Sequence, residues 1–294
     1  MFSRANTGLD PVLHRLRPTQ WDLFLNSPLI YLATLLYDLE QDRRPLEQVG
    51  TGIKVVCISD TYNFESDIPY ADLLIHTGIS SGQDIQSILS WLRGLPHPSK
   101  VMIPGVSYAL SQPRERASLD WTGITLLDHS STNVKFSSGR DLKVFGSTGK
   151  SHPERPGVWG FLDSDNWTGH VPTDTDILVT YMPPGKRFET IGSGDDNLLA
   201  EMWRTKPRLQ VSGNIWAGYG KMYVTYDRFG MLFEKICSGP KVVMACTMLM
   251  EMVLRFIGFV TWRPRSGSRV ILVRAAAVRQ LQHREKRKPI VVYL

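Results

Sequence analysis

Residues 53–59 read Ile53-Lys54-Val55-Val56-Cys57-Ile58-Ser59. A short, nearly continuous apolar run closing on a polar tip is the pattern of a strand buried on both faces. Seven similar runs follow: Asp72–His76, Lys100–Ile103, Leu142–Phe145, Asp176–Thr180, Arg208–Val211, Arg269–Val273 and Ile290–Tyr293. Helical patterns stand between some of them, at Asp84–Leu92 and Asn197–Trp203. Strands and helices in alternation predict an α/β sandwich around mixed sheets. Upstream, Pro11, Pro18, Pro28 and Pro45 punctuate residues 1–50, with room for one helix at Leu29–Gln41. That stretch reads as a helical appendage to a domain over 51–294, and the apolar segment within 238–266 reads as a helical insertion.

The strand ends carry more information than the strands. They read Ser59-Asp60-Thr61-Tyr62, His76-Thr77-Gly78-Ile79, Gly105-Val106-Ser107-Tyr108, Thr180-Tyr181-Met182-Pro183-Pro184 and Gly213-Asn214-Ile215-Trp216-Ala217-Gly218-Tyr219-Gly220. In open α/β sheets, sites form beyond the carboxyl ends of the strands. Five such tips, each rich in turn residues or hydroxyls, predict loops converging on one crevice.

In order and spacing these tips resemble the calcineurin-like metallophosphoesterase superfamily, specifically its MPPED-type branch with fungal relatives. The resemblance covers roughly Ile53 to Tyr226 and the closing segment Arg269–Leu294. Flanking words add to it: Leu74-Ile75-His76-Thr77-Gly78, Phe145-Gly146-Ser147, Trp159-Gly160-Phe161 and Asp176-Ile177-Leu178-Val179-Thr180. It implies a four-layer α/β sandwich with mixed sheets. In that family the motifs hold two divalent metals that activate water against a phosphate ester.

Here the same positions lack that chemistry. Tyr62 stands for the first histidine, Ile79 for the bridging aspartate, and Val106 and Ser107 for an Asn-His pair. Tyr181 and Met182 stand for a His-Gly pair, and Asn214 and Trp216 for the last two histidines. Only Asp60 remains of the ligand set. Hydrocarbon, phenol and indole groups cannot replace carboxylates and imidazoles around two cations, so no metal and no other cofactor is expected. The turn residues Gly78, Gly105, Pro183, Pro184, Gly213, Gly218 and Gly220 are all present.

The resemblance then implies a metal-independent, divergent protein binding an organic ligand in the former metal cleft. Tyr62, Ile79, Ser107, Tyr108, Tyr181, Met182, Asn214 and Trp216 would line that cleft, with Asp60 as a carboxylic acid made weaker by desolvation or as a loop cap. A cyclase- or isomerase-like role in secondary metabolism is one reading. A non-catalytic pseudoenzyme or interaction protein is the alternative, and a residual phosphoesterase is a third.

Composition excludes other classes. Of the 294 residues, 42% are hydrophobic and 21% charged, as in ordinary globular chains. Cys57, Cys237 and Cys246 are too few and too scattered for a disulfide framework or a cysteine zinc site. A reducing, cytoplasmic setting is the expectation, and Met1–Arg17 lacks the apolar core of a secretory signal. The net charge of +6 is local: Arg255–Lys288 holds ten Lys or Arg against Glu285 alone. A nucleic-acid partner is therefore not expected. The basic stretch reads as a solvated face, with an anionic membrane surface as the alternative.

Apolar stretches at Leu29–Leu39 and Met244–Trp262 are not expected to span a bilayer, because Asp38, Glu251 and Arg255 interrupt them. Glu251 and Arg255 are read as a solvent-side pair one helical turn apart. The N-terminal stretch is read as a helix packed on the domain, with a place on a membrane surface as the alternative. Gly146-Ser147-Thr148-Gly149-Lys150-Ser151 imitates a phosphate-binding loop, but Val144 stands where the motif requires its first glycine.

Overall fold

A computed structural model describes residues 19–42, 52–59, 67–79, 84–105, 107, 110, 113–148, 167–185, 195–213, 219–239, 241–260, 268–275 and 288–294. The chain divides into two compact units. One comprises Met1–Arg44, Met231–Pro264 and Arg279–Glu285; the other comprises Pro45–Gly230, Arg265–Val278 and Lys286–Leu294.

The larger unit holds two mixed sheets. In the first, β1 (Lys54–Ile58), β2 (Leu73–His76), β3 (Ser99–Met102) and β4 (Thr125–Leu126) run parallel, and β11 (Ile290–Tyr293) closes the edge antiparallel to β1. In the second, β6 (Asp141–Ser147), β7 (Ile177–Thr180), β8 (Leu209–Ser212) and β10 (Ser268–Arg274) run parallel. Antiparallel β5 (Ser130–Lys135) and β9 (Gly220–Tyr226) flank them.

The continuous apolar runs are explained by burial on both faces. In β1, Val55 and Cys57 join a core drawn from both sheets, whereas Val56 and Ile58 join a cluster with helix α3 (Ile85–Gly94). In β7, Ile177 and Val179 face the shared core, whereas Leu178 packs with Leu198 and Met202 of helix α5 (Asp196–Thr205). Burial pushes the Cys57 thiol well above its ordinary range.

All eight strands read from the sequence are present, within a residue or two at most ends. Unforeseen are β4, β5 and β9. Strand β5 (SSTNVK) buries only Val134, because an edge strand needs no apolar run. Also unforeseen are α4 (Pro113–Ala117), α6 (Arg228–Ser238) and, in the smaller unit, α1 (Gln20–Asn26). Helix α1 starts with a capping box: Thr19 Oγ1 accepts from Asp22 N–H, and Asp22 Oδ2 accepts from Thr19 N–H.

The smaller unit contains α1, α2 (Pro28–Asp42), α7 (Val242–Val260) and most of α6. Tyr37 of α2 stacks on Phe233 of α6, ring centroids 4.5 Å apart. One expectation is corrected here. Arg255 does not stand on a solvent face: its side chain is 16% exposed and reaches Glu40 Oε1 at 3.3 Å, and Glu40 is fully buried. Helix α2 presents this carboxylate inward, so the guanidinium follows it.

Glycines set how closely the two sheets approach. A Cβ on Gly213 would stand 2.5 Å from the carbonyl oxygen of Thr77. Gly213→Ala is therefore expected to destabilise the protein by about 1–3 kcal/mol. Gly94, near the end of α3, has open space around it, so Gly94→Ala is expected to stabilise by about 0.5–1 kcal/mol. Denaturant titration of both variants checks the contrast.

Candidate functional site: the carboxyl ends of two sheets

The parallel strands of both sheets end at one place in the larger unit. From the first sheet, Ser59 Oγ donates to Gly213 O of the second at 2.9 Å. Gly213 N–H donates in turn to Tyr181 O at 3.2 Å. Thr77 N–H donates to Ile58 O at 2.9 Å, tying the ends of β1 and β2. These hydrogen bonds tie the described ends of β1, β2, β7 and β8 together, and the loops beyond them lie outside the described residues.

Beside this junction the backbone is crowded. Gly78 and Gly105 both have positive φ, 111° and 71°, and their backbones touch. Ile79 bridges Gly105 as an extra rung, and its N–H donates to Pro104 O at 3.4 Å. Only glycine tolerates both the φ and the proximity. His76 is 1% exposed, and its Nδ1 accepts from Gly78 N–H at 3.3 Å. Desolvation lowers its pKa from 6.5 to about 4, so the ring is a neutral acceptor at physiological pH.

The Thr180–Pro184 tip is held from within. Gln210 Nε2 donates to Thr180 Oγ1 at 2.8 Å, and Thr180 Oγ1 donates to Met182 O at 2.6 Å. Asp195 N–H donates to Pro183 O at 3.0 Å. The Asp195 carboxylate accepts from Trp167 Nε1 at 2.7 Å and from the Asn197 and Leu198 N–H groups at the start of α5. Asp195 is thereby a helix cap that positions the tip.

Of the residues singled out in the sequence, four are described. Ile79 is fully buried in the cluster with α3. Tyr181 and Met182, each 8% exposed, belong to the core between the sheets. Ser107 is buried after the Gly105 turn. The structure therefore brings Tyr181 and Met182 together and sends Ile79 into a different cluster. Asp60, Tyr62, Tyr108, Asn214 and Trp216 lie outside the described residues, as does Gly149-Lys150-Ser151.

One polar pair at the same edge escaped the sequence reading. Ser147, fully buried at the end of β6 and in register with Thr180, lies 3.1 Å from His129 Nε2. His129 has φ 48°, unusual for a residue with a side chain. Phe145-Gly146-Ser147 was the only signal for it, and nothing in the sequence tied Ser147 to a histidine eighteen positions earlier.

Ile79, where the resemblance would put a bridging aspartate, offers hydrocarbon packed among hydrocarbon. Among the described residues no group of three His, Cys, Asp or Glu is placed to hold a metal.

No protein-family model matches the chain. It is 30% identical over 97% of its length to a probable rhamnogalacturonate lyase C of Emericella nidulans, of which it spans 29%. It is 27% identical over 58% of its length to human metallophosphoesterase domain-containing protein 1, and 26% identical over 67% to a UPF0046 protein of Caenorhabditis elegans. It spans 62% of each of these two. These relatives support the metallophosphoesterase-type superfamily that the strand tips resemble, and the mixed α/β architecture is consistent with it.

His76 gives the site a pH signature. Its folded-state pKa lies below the unfolded value, so the unfolded chain takes up the proton first as pH falls. Stability is expected to be full above pH 6.5 and to drop between 6.5 and about 4, by at most about 3 kcal/mol from this group. Burial also lowers the pKa of His97, which adds in the same direction. Melting temperatures across this range check it, and His76→Gln should flatten the profile.

Proposed function

We propose that the chain is a metal-independent metallophosphoesterase-type protein that binds at the crevice beyond its strand ends without hydrolysing phosphate esters. The observation that carries this reading is Ile79: the bridging position is filled by a side chain with no donor, sealed into an apolar cluster. A water between two cations has nothing to bridge it there. Burial of Tyr181 and Met182 in the core supports a scaffold role for those two over a lining role. We assign the lining to Asp60, Tyr62, Tyr108, Asn214 and Trp216, on a four-layer sandwich of 51–294 with 1–50 appended and 238–266 inserted.

A second reading is turnover of an organic ligand by a cyclase- or isomerase-like route. The Ser147–His129 pair favours it, because a hydroxyl within 3.1 Å of an imidazole is a proton-transfer pair at the same strand edge. A third follows from the Emericella protein's name. The chain matches 29% of that protein, and the same stretch resembles metallophosphoesterase-domain proteins. We therefore propose no lyase activity for this chain.

Three measurements on the purified chain test these readings. Elemental analysis after dialysis is expected to find no stoichiometric Mn, Fe or Zn. Phosphodiester substrates with added Mn are expected to remain intact, and rhamnogalacturonan is expected to yield no unsaturated product. Two retained metals with hydrolysis would overturn the first reading. Unsaturated sugar release would move the lyase activity into this chain.

A further inference from the structure

The smaller unit distributes its side chains against the usual rule. Helix α7 carries two charged residues, Glu251 and Arg255, and both are only partly exposed. Its hydrocarbon points outward instead. Val243 is 76% exposed, and Leu249, Met250, Val253 and Leu254 are between 51% and 54%. Among the described side chains of this helix, only Met248 and Met252 form a well-buried stripe. Helix α2 repeats the arrangement: Glu40 is sealed inside, whereas Leu32, Leu35 and Leu39, spaced three and four residues apart, face out. In α1, Trp21 and Leu25 are each more than 70% exposed.

An ion pair within and leucines without is the reverse of a water-facing helix pair. Exposed large apolar side chains along three helices mark a surface that is covered in use. Its charge surroundings identify the cover. In sequence, Arg43-Arg44 directly follow α2, Lys241 directly precedes α7, and Trp262-Arg263-Pro264-Arg265 follow it. Cations and an aromatic bracketing apolar helices are the composition of helices that lie in a lipid headgroup region. The remaining sequence of the smaller unit, Arg279–Glu285, adds Arg279 and Arg284 against Glu285. A second copy of the chain would bring the same cations against these, whereas anionic lipid neutralises them. Among the described residues no helix is long and apolar enough to cross a membrane, so the helices lie in the plane of the surface.

We propose that the exposed apolar faces of α1, α2 and α7 form a membrane-docking surface for an anionic lipid bilayer. The inference stands apart from whatever the strand-end crevice binds.

Flotation of the full chain with vesicles tests it, using phosphatidylcholine alone and phosphatidylcholine mixed with phosphatidylserine. The chain is expected to float with the anionic vesicles, less with neutral ones, and less as salt rises. Leu249→Gln with Val253→Gln should weaken binding at least about tenfold with an unchanged melting temperature, since both side chains are exposed. Arg263→Glu with Arg265→Glu should remove the salt-sensitive part. A chain that stays unbound at every composition overturns the proposal, as does equal binding by the variants. A dimer in solution that Leu249→Gln and Val253→Gln dissociate also overturns it, and assigns the face to a second copy.

Discussion

The larger unit depends on a contact with no room in it: Gly213 of the second sheet against Thr77 of the first. Two sheets with large apolar side chains between them pack about 10 Å apart. At their carboxyl ends the backbones must close that distance. Gly213 makes this feasible by lacking a Cβ, and Ser59 fastens it by donating to the Gly213 carbonyl. Gly78 and Gly105 do the same within the first sheet, at φ values other residues avoid. Turn glycines are thus present here because the strand ends cannot meet without them.

Closing the strand ends also gathers polar groups. Among the described residues these are hydroxyls, amides, the Asp195 carboxylate and the His76 imidazole, which stays uncharged because burial penalises the imidazolium. Ile79 and the Tyr181–Met182 pair pack into two separate apolar clusters beside them. Asp195 alone satisfies the start of α5 and the Trp167 indole.

The two units follow opposite packing rules. In the larger, both faces of the central strands are buried and the described polar side chains at the strand ends have structural duties. In the smaller, a carboxylate and a guanidinium occupy the interior at 3.3 Å while leucine and valine face out. A buried ion pair contributes little net stability after desolvation. That unit's design makes sense once a lipid surface replaces water on its outer side.

Much of the larger unit was legible in the sequence because strands buried on both faces must be apolar throughout: Ile53–Ser59 and Asp176–Thr180 admit few other readings. Edge strands such as β5 and β9 were not legible, since pairing on one side with one wet face imposes no such pattern. The strand tips were legible as tips, through their glycines, prolines and the departures at Ile79, Tyr181 and Met182. What the sequence could not supply was direction. Spacing placed Glu251 and Arg255 one turn apart, and only the fold decided that Arg255 turns inward to Glu40. Ser147 and His129 likewise meet only because β5 returns antiparallel beside β6 and lays the two strand ends together. Local pattern fixes which residues form a strand or a helix, because backbone hydrogen bonding and side-chain periodicity act over a few residues. Which face looks inward, and which distant groups touch, is a property of the packed chain, because those contacts exist only after the sheets have closed.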